Sequence, residues 1–306
     1  MKNREKSDRN INRKHSLKYA GILCISTLLM LSMAACGAVN NSAVSETDSS
    51  ETESTGTSMQ AQGLEPIEVT GRVTELEQDF SAVRFDKDYG FGDFLANGGA
   101  GSDADVVQFL AENVLLGEAD VTFDGEVFGC STIAVKNEAG EAMFGRNFDW
   151  NSCEALVVIS APEDAYSSIS TVNMDFINVS AGNMLKLLPE EMRTIAALYA
   201  PLDGMNEAGL CISVNMIQDS AAIEQNTEKP DITTTTAVRM LLNQAATVEE
   251  ALDLLSQYDM HGSMGMMVHF AIADAEGSSV VVEYIDNQMI VTDTPVVTNF
   301  YLAEGE

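Results

Sequence analysis

Three short turns of one kind constrain this chain more than any other feature. Residues 137–140 and 206–209 are both Asn-Glu-Ala-Gly, and residues 274–277, Asp-Ala-Glu-Gly, are a close variant. The first joins two runs in which polar and apolar residues alternate, CSTIAVK and EAMFGRNFDW. The second precedes LCISVNMI, and the third links MMVHFAIA to SSVVVEYI, after which DNQ leads into MIVT. Each turn ends in glycine, which takes a positive φ without steric cost, as a tight hairpin requires. Alternation sends every second side chain to the same face. The chain is therefore predicted to form antiparallel sheets, each burying one face.

Helical periodicity is confined to a few stretches. Residues 102–117, SDADVVQFLAENVLLG, begin with Ser and Asp and space Val106, Phe109, Leu110 and Val114 as one helix face. Residues 233–246 and 248–258 form a helical pair between β regions, and 67–77 and 82–91 read as short strands. Strands, a helical pair, then strands again is an α+β order, not a βαβ alternation. No glycine-rich phosphate loop and no zinc-type ligand spacing is present, so no cofactor and no metal is expected.

The first fifth of the chain has a different composition. A basic head, residues 1–18, is followed by the apolar run YAGILCISTLLMLSMAAC, the pattern of an export signal. Met33-Ala34-Ala35-Cys36 with Gly37 behind it resembles a lipobox. Residues 1–35 are thus read as a lipoprotein signal, with Cys36 lipidated and anchoring the chain to the outer face of a bacterial membrane. An uncleaved anchor is the alternative, since 20–39 is nearly long enough to span a bilayer. Residues 36–63, rich in Ser, Thr and Glu, have too few large apolar side chains for a core and read as a disordered acidic linker. The whole chain carries a net charge of −31; without residues 1–35 it has 9 cations against 45 acids, hence −36. Such a surface repels nucleic acid. Homo-oligomers are left open.

Cations being scarce, the position of each is informative. Cys130 opens a strand behind Gly129, with Ser131 and Thr132 after it. A buried, inert strand cysteine is the plain alternative. Were the 129/130 bond cut, Cys130 would carry both a thiol and an α-amine, a nucleophile with a base on the same residue. The facing strand supplies Arg146 and Asp149, in a run ending at Trp150, the only tryptophan. A cation beside the sulfur favours thiolate, and a carboxylate can hold the amine. A surface ion pair is the alternative for these two.

These residues resemble the choloylglycine hydrolase family of the N-terminal-nucleophile superfamily. The match runs through Cys-Ser-Thr at 130–132, GRNFDW at 145–150, DGMNEAGL at 203–210, SVN at 213–215, HFAIADAEGSSVVVE at 269–283 and VVTNF at 296–300. The resemblance implies a four-layer αββα sandwich over 130–306, autocatalytic cleavage between Gly129 and Cys130, and hydrolysis of linear C–N amides. The substrate would be a small N-acyl amide, of bile-salt or penicillin type among others. It also implies that Cys130 is the nucleophile, that Arg146 and Asp149 are charged site residues, that Asn215 contributes to an oxyanion hole, and that Asn299 holds the amine and the tetrahedral intermediate. Residues 64–129 precede the cysteine as they do in acid ceramidase and isopenicillin N acyltransferase, so they are expected to be a propeptide or retained small subunit masking the site. A further family arginine falls beyond Glu306, so the chain is expected to be truncated at its C-terminus.

Three other readings remain open. The chain could be an acyltransferase of the same family, a Cys-His hydrolase using His261 or His269, or a non-catalytic ligand-binding lipoprotein. The cluster Met260, Met264, Met266 and Met267 is read as packing, or as a flexible wall for an acyl chain.

Overall fold

A computed structural model describes residues 72–115, 129–150, 153–180, 190–219 and 221–303. The signal, Cys36, the acidic linker, and residues 64–71 and 116–128 of the segment before Cys130 lie outside the described residues. The described chain begins with β1 (Thr74–Glu77), β2 (Phe80–Phe85), α1 (Phe91–Ala96) and α2 (Asp103–Leu110), the last continued by one π turn, Ala111–Leu115. Then come the hairpin β3 (Gly129–Lys136) and β4 (Ala142–Asp149), β5 (Ala155–Ser160), β6 (Ser168–Asn173), α3 (Met174–Ser180) and α4 (Glu190–Leu198). β7 (Asp203–Asn206), β8 (Cys211–Met216) and β9 (Asp231–Thr233) lead to the helical pair α5 (Thr234–Gln244) and α6 (Val248–Leu255). The described chain closes with β10 (Asp259–His261), a 3-10 turn (Ser263–Gly265), β11 (Val268–Ala273), β12 (Ser279–Ile285), β13 (Gln288–Asp293) and β14 (Val296–Val297). No helix among the described residues is long and apolar enough to cross a membrane.

The fold is an α+β sandwich. Its main sheet has nine strands in the order β1-β2-β5-β6-β7-β8-β11-β12-β13, antiparallel except for the parallel pair β2/β5. The three turns predicted from their glycines are all present, with Gly140, Gly209 and Gly277 at φ 83°, 91° and 96°. The β12–β13 turn puts Asp286 and Asn287 at φ 48° and 60°, a conformation those short polar side chains tolerate.

Alternation along β7 and β8 sorts the two faces of this sheet. Even-numbered residues such as Gly204, Asn206, Ile212 and Val214 face a helical layer, where α5 lies across β7 and β8. A Cβ on Gly204 would come within 2.7 Å of Ile169 O on β6 and 2.8 Å of Leu242 Cδ1 on α5, so the backbone contact with β6 requires glycine here. Odd-numbered residues, Asp203, Ser213 and Asn215, face a second sheet of three strands, β14-β3-β4. Helices, nine strands and three strands are thus three layers of the expected four. The outer face of the small sheet shows Ile133, Val135, Met143 and Val296 to solvent among the described residues.

Helix α5 starts with a capping box, Thr233 and Thr236 each bonding the other's backbone N–H. It carries Arg239, fully buried with no carboxylate at its guanidinium among the described residues. Leu198 O and the hydroxyls of Ser168 and Ser170 accept its protons instead, at 2.6, 3.0 and 2.9 Å.

The segment before Cys130, expected to mask the site, is built into the fold. β2 extends the main sheet, and Phe85, Tyr89, Phe91 and Phe94 are all at most 3% exposed. Tyr89 donates to Asn243 Oδ1 on α5 at 2.9 Å, and Tyr199 donates to Tyr89 O at 2.8 Å. Burying one such aromatic is worth about 2–3 kcal/mol, so removing the segment would expose much of the core.

Candidate active site

Cys130 lies on the inner face of the small sheet, 5% exposed and free of any disulfide. Its strand pairs with β4 so that Cys130 faces Phe148 and Gly129 faces Asp149. Two residues further on, the buried Thr132 points the same way. Its hydroxyl donates to Asn215 Oδ1 at 2.9 Å and lies 2.8 Å from Ser213 Oγ, which ties the two sheets together directly behind the cysteine.

Arg146 reaches back from β4 to the cysteine. Its Nη2 lies 3.8 Å from Cys130 Sγ and donates to Val214 O at 2.8 Å; its Nη1 donates to Asp203 Oδ2 at 2.5 Å. The guanidinium also sits 4.8 Å over the Phe148 ring. The arginine side chain is 7% exposed and the aspartate 18%. Asp203 is held in turn by the Thr171 hydroxyl. The carboxylate at this arginine is therefore Asp203, not Asp149. Asp149 accepts from Asn147 Nδ2 at 2.6 Å, and its Oδ2 would lie 3.3 Å from a Cβ placed on Gly129, so it flanks the 129/130 bond.

Asn299 is brought in from 169 residues away. β14 pairs Val297 with Thr132 and Val296 with Ile133, and continuing that register sets residue 299 opposite residue 130. Its side chain takes over where the backbone ladder stops: Cys130 N donates to Asn299 Oδ1 at 2.6 Å, while Asn299 Nδ2 donates to Met216 O. Asn215 is fully buried, and its Nδ2 finds no acceptor among the described residues. A buried orphan donor costs about 1–3 kcal/mol, a cost that a site awaiting a developing negative charge can carry.

All five residues singled out from the sequence thus cluster around one strand end. Thr132 and Asp203 were not singled out, although Asp203 heads the DGMNEAGL stretch and Thr132 belongs to Cys-Ser-Thr. Neither candidate histidine is bonded to the Cys130 sulfur. His261 Nε2 pairs with Asp231 Oδ1 at 2.8 Å, and His269 is fully buried between Glu283 and Thr298. The methionines divide: Met260 and Met267 are core, whereas Met264 and Met266 line a cavity of about 40 Å³ beside Cys130. That cavity shares Phe176, Leu202, Thr235, Ser263 and Met264 with a second one of about 70 Å³, closed by Val106, Val107 and Leu110 of α2. Asp103, at the start of α2, accepts from Met264 N at 2.6 Å and so pins the shared wall; burial raises its carboxyl above the ordinary range, offset by the bonds from Met264 and Ser263. A larger cavity, about 1270 Å³, separates the two sheets beyond Arg146 and Asp203.

The other two thiols in the described chain are poor nucleophiles. Burial lifts Cys211 to about 11. Cys153 is raised by burial and by Asp175, against the pull of Arg146.

A family model described as linear amide C-N hydrolases, choloylglycine hydrolase family, matches residues 130–300. Among solved structures, penicillin V acylase from Agrobacterium tumefaciens is similar at 21% identity, over 56% of this chain and 52% of that one, with a TM-score of 0.39. A mutant conjugated bile acid hydrolase from Clostridium perfringens is similar at 18% identity, over 55% and 52%, with a TM-score of 0.40. An N-acylethanolamine-hydrolyzing acid amidase ortholog from Caenorhabditis elegans is similar at 16% identity, over 56% and 69%, with a TM-score of 0.37. The chain spans about half the length of the two bacterial structures. No curated protein matches it.

Proposed function

On the premise that the chain belongs to the choloylglycine hydrolase family of linear amide C-N hydrolases, we propose that it hydrolyses small N-acyl amides through Cys130 as an N-terminal nucleophile. The observation that carries the reading is the convergence on Cys130. Arg146 Nη2 lies 3.8 Å from its sulfur and Asn299 Oδ1 lies 2.6 Å from its nitrogen.

Maturation comes first. The Cys130 sulfur attacks the Gly129 carbonyl, the thiol proton passes to the Cys130 nitrogen as the C–N bond breaks, and Gly129 passes to sulfur as a thioester. Water then hydrolyses the thioester, leaving a carboxylate on Gly129 and a free α-amine and thiol on Cys130. Asp149 beside Gly129 and Asn299 at the nitrogen hold that amine once it forms.

In turnover the α-amine takes the thiol proton as sulfur attacks the substrate carbonyl. The negative charge moves to the carbonyl oxygen, where the spare Asn215 N–H donates to it. The C–N bond breaks, the ammonium returns its proton to the leaving amine, and water releases the acid from the thioester. The apolar cavities lined by Phe176, Leu202 and Met264 receive the acyl group.

We also propose that the enzyme works outside the cytoplasm on a lipid attached to Cys36. The basic head, the apolar run and the Met33-to-Cys36 motif support this. Labelling by a fatty-acid analogue that disappears in Cys36→Ser is the expected result.

The catalytic reading is tested by incubating the purified protein with a panel of N-acyl amides and following amine release. Release by the wild type and none by Cys130→Ala is expected. Equal release by both would overturn it.

A further inference from the structure

The hydrogen bond between Asn299 and Cys130 is the longest-range contact of the site, and β14, which delivers Asn299, is only two residues long. Asn299 is steadied in part by its own bond to Met216 O, and the Tyr301 hydroxyl donates to Asp219. The backbone from 298 to 303 has a further, buried hold.

His269 and Glu283 provide that hold. They sit on adjacent strands, β11 and β12, and both are fully buried. His269 Nε2 lies 2.8 Å from Thr298 O, and since a carbonyl only accepts, Nε2 carries a proton. His269 Nδ1 lies 3.1 Å from Glu283 Oε1, with one proton between them. Glu283 accepts in addition from Leu302 N at 2.9 Å and Ala303 N at 2.9 Å. The pair therefore grips the backbone on both sides of Asn299, one residue before it and three and four after.

Simple core packing does not call for this arrangement. A buried acid and histidine cost desolvation energy, and an apolar pair of the same size would fill the space at less cost. What such a pair supplies is directional hydrogen bonds at fixed points. We propose that Glu283 and His269 are positioning residues that set Asn299 against the Cys130 nitrogen. They touch neither substrate nor sulfur and act through the 298–303 segment. The proposal rests on the catalytic reading for its effect on turnover, but its geometric content stands apart from it.

The test compares Glu283→Ala, Glu283→Gln and, as a destabilising control in the same strand, Val282→Ala. Glutamine keeps most of these contacts, its amide N–H donating to His269 Nδ1 and its oxygen accepting from Leu302 N and Ala303 N in the Oε2 position, and loses only the Leu302 bond to Oε1. With an N-acyl amide as substrate, Glu283→Ala is expected to lower kcat about 10- to 100-fold with KM within about twofold, the scale of a displaced site group. Glu283→Gln should recover most of the loss, and Val282→Ala should lose stability but keep kcat. Hydrogen exchange at the residue 130 amide is read in parallel, in a Cys130→Ala background that retains the 129/130 peptide bond. Exchange should accelerate in Glu283→Ala, as it should in Asn299→Ala, and return in Glu283→Gln. An inactive, uncut wild type with accelerated exchange in Glu283→Ala would sink the catalytic reading and keep this one. Unchanged exchange at residue 130 in Glu283→Ala would overturn the proposal.

Discussion

Arg146 and Asp203 meet across the two sheets, Nη1 to Oδ2 at 2.5 Å, and through that contact the Cys130 site is anchored to the nine-stranded sheet. The pair is mostly buried; Arg146 also donates to Val214 O and Asp203 accepts from the Thr171 hydroxyl, while Arg146 Nε finds no acceptor among the described residues. Replacing only the acid leaves a buried cation without its partner. Asp203→Asn is predicted to cost about 3 kcal/mol in urea unfolding and to slow processing at 129/130. Asp149→Asn, whose partner is the exposed Asn147, should cost under about 1 kcal/mol.

Asn215 has a spare N–H and Asn299 does not spend its carbonyl on substrate, so the two amides are predicted to fail differently. Asn215→Ala should reduce kcat about 100-fold with the residue 130 amide still protected. Asn299→Ala should expose that amide as well. Steady-state kinetics together with hydrogen exchange separate the two.

How much of this was legible beforehand depended on the range of the signal. The turn glycines are local: Gly140, Gly209 and Gly277 announce their hairpins within four residues, and all three formed. The Cys130, Arg146 and Asp149 grouping was legible because one hairpin carries all three. Asp203 was not, because its partner lies 57 residues away and register across two sheets decides the match. The same holds for Glu283, which reads as one polar residue at the end of a valine run until β14 and the following segment are placed over it. The aromatic residues from Tyr89 to Phe94 read as an ordinary short segment, since nothing local says that Asn243 of α5 will meet Tyr89 or that Tyr199 and Phe109 will pack on Phe91 and Phe94.

Because those aromatics are core, cutting at 129/130 should not release the preceding segment. After processing, both fragments are predicted to co-elute in native size exclusion and to part only in denaturant. Tyr89→Ala, which removes the bond to Asn243 and the contact with Tyr199, should weaken that association by about 3 kcal/mol.

Stability should fall at both ends of the pH range. Burial pushes the Glu283 carboxyl up, but the bonds from His269, Leu302 and Ala303 outweigh it and hold the group below its ordinary 4.5. That stabilisation is present above the unfolded value and is lost as pH falls through the folded one. Cys211 works in the opposite direction. With its thiol raised from 9.0 to about 11, the native state keeps a proton that the unfolded chain releases, so stability declines as pH rises through that window. The loss should be roughly 1–2 kcal/mol after allowing for its partial exposure. Cys211→Ser should make the alkaline limb shallower in a urea titration by that amount, the tyrosines raised by burial and Cys153 supplying the remainder, and leave the acid limb as it was.

The central claim is that Cys130 becomes an N-terminal nucleophile, and intact mass with N-terminal sequencing of the purified protein tests it most directly. A fragment beginning Cys130-Ser131-Thr132 in the wild type, absent from Cys130→Ala, is the predicted result. A wild-type chain that remains uncut at 129/130 while hydrolysing amides would contradict it.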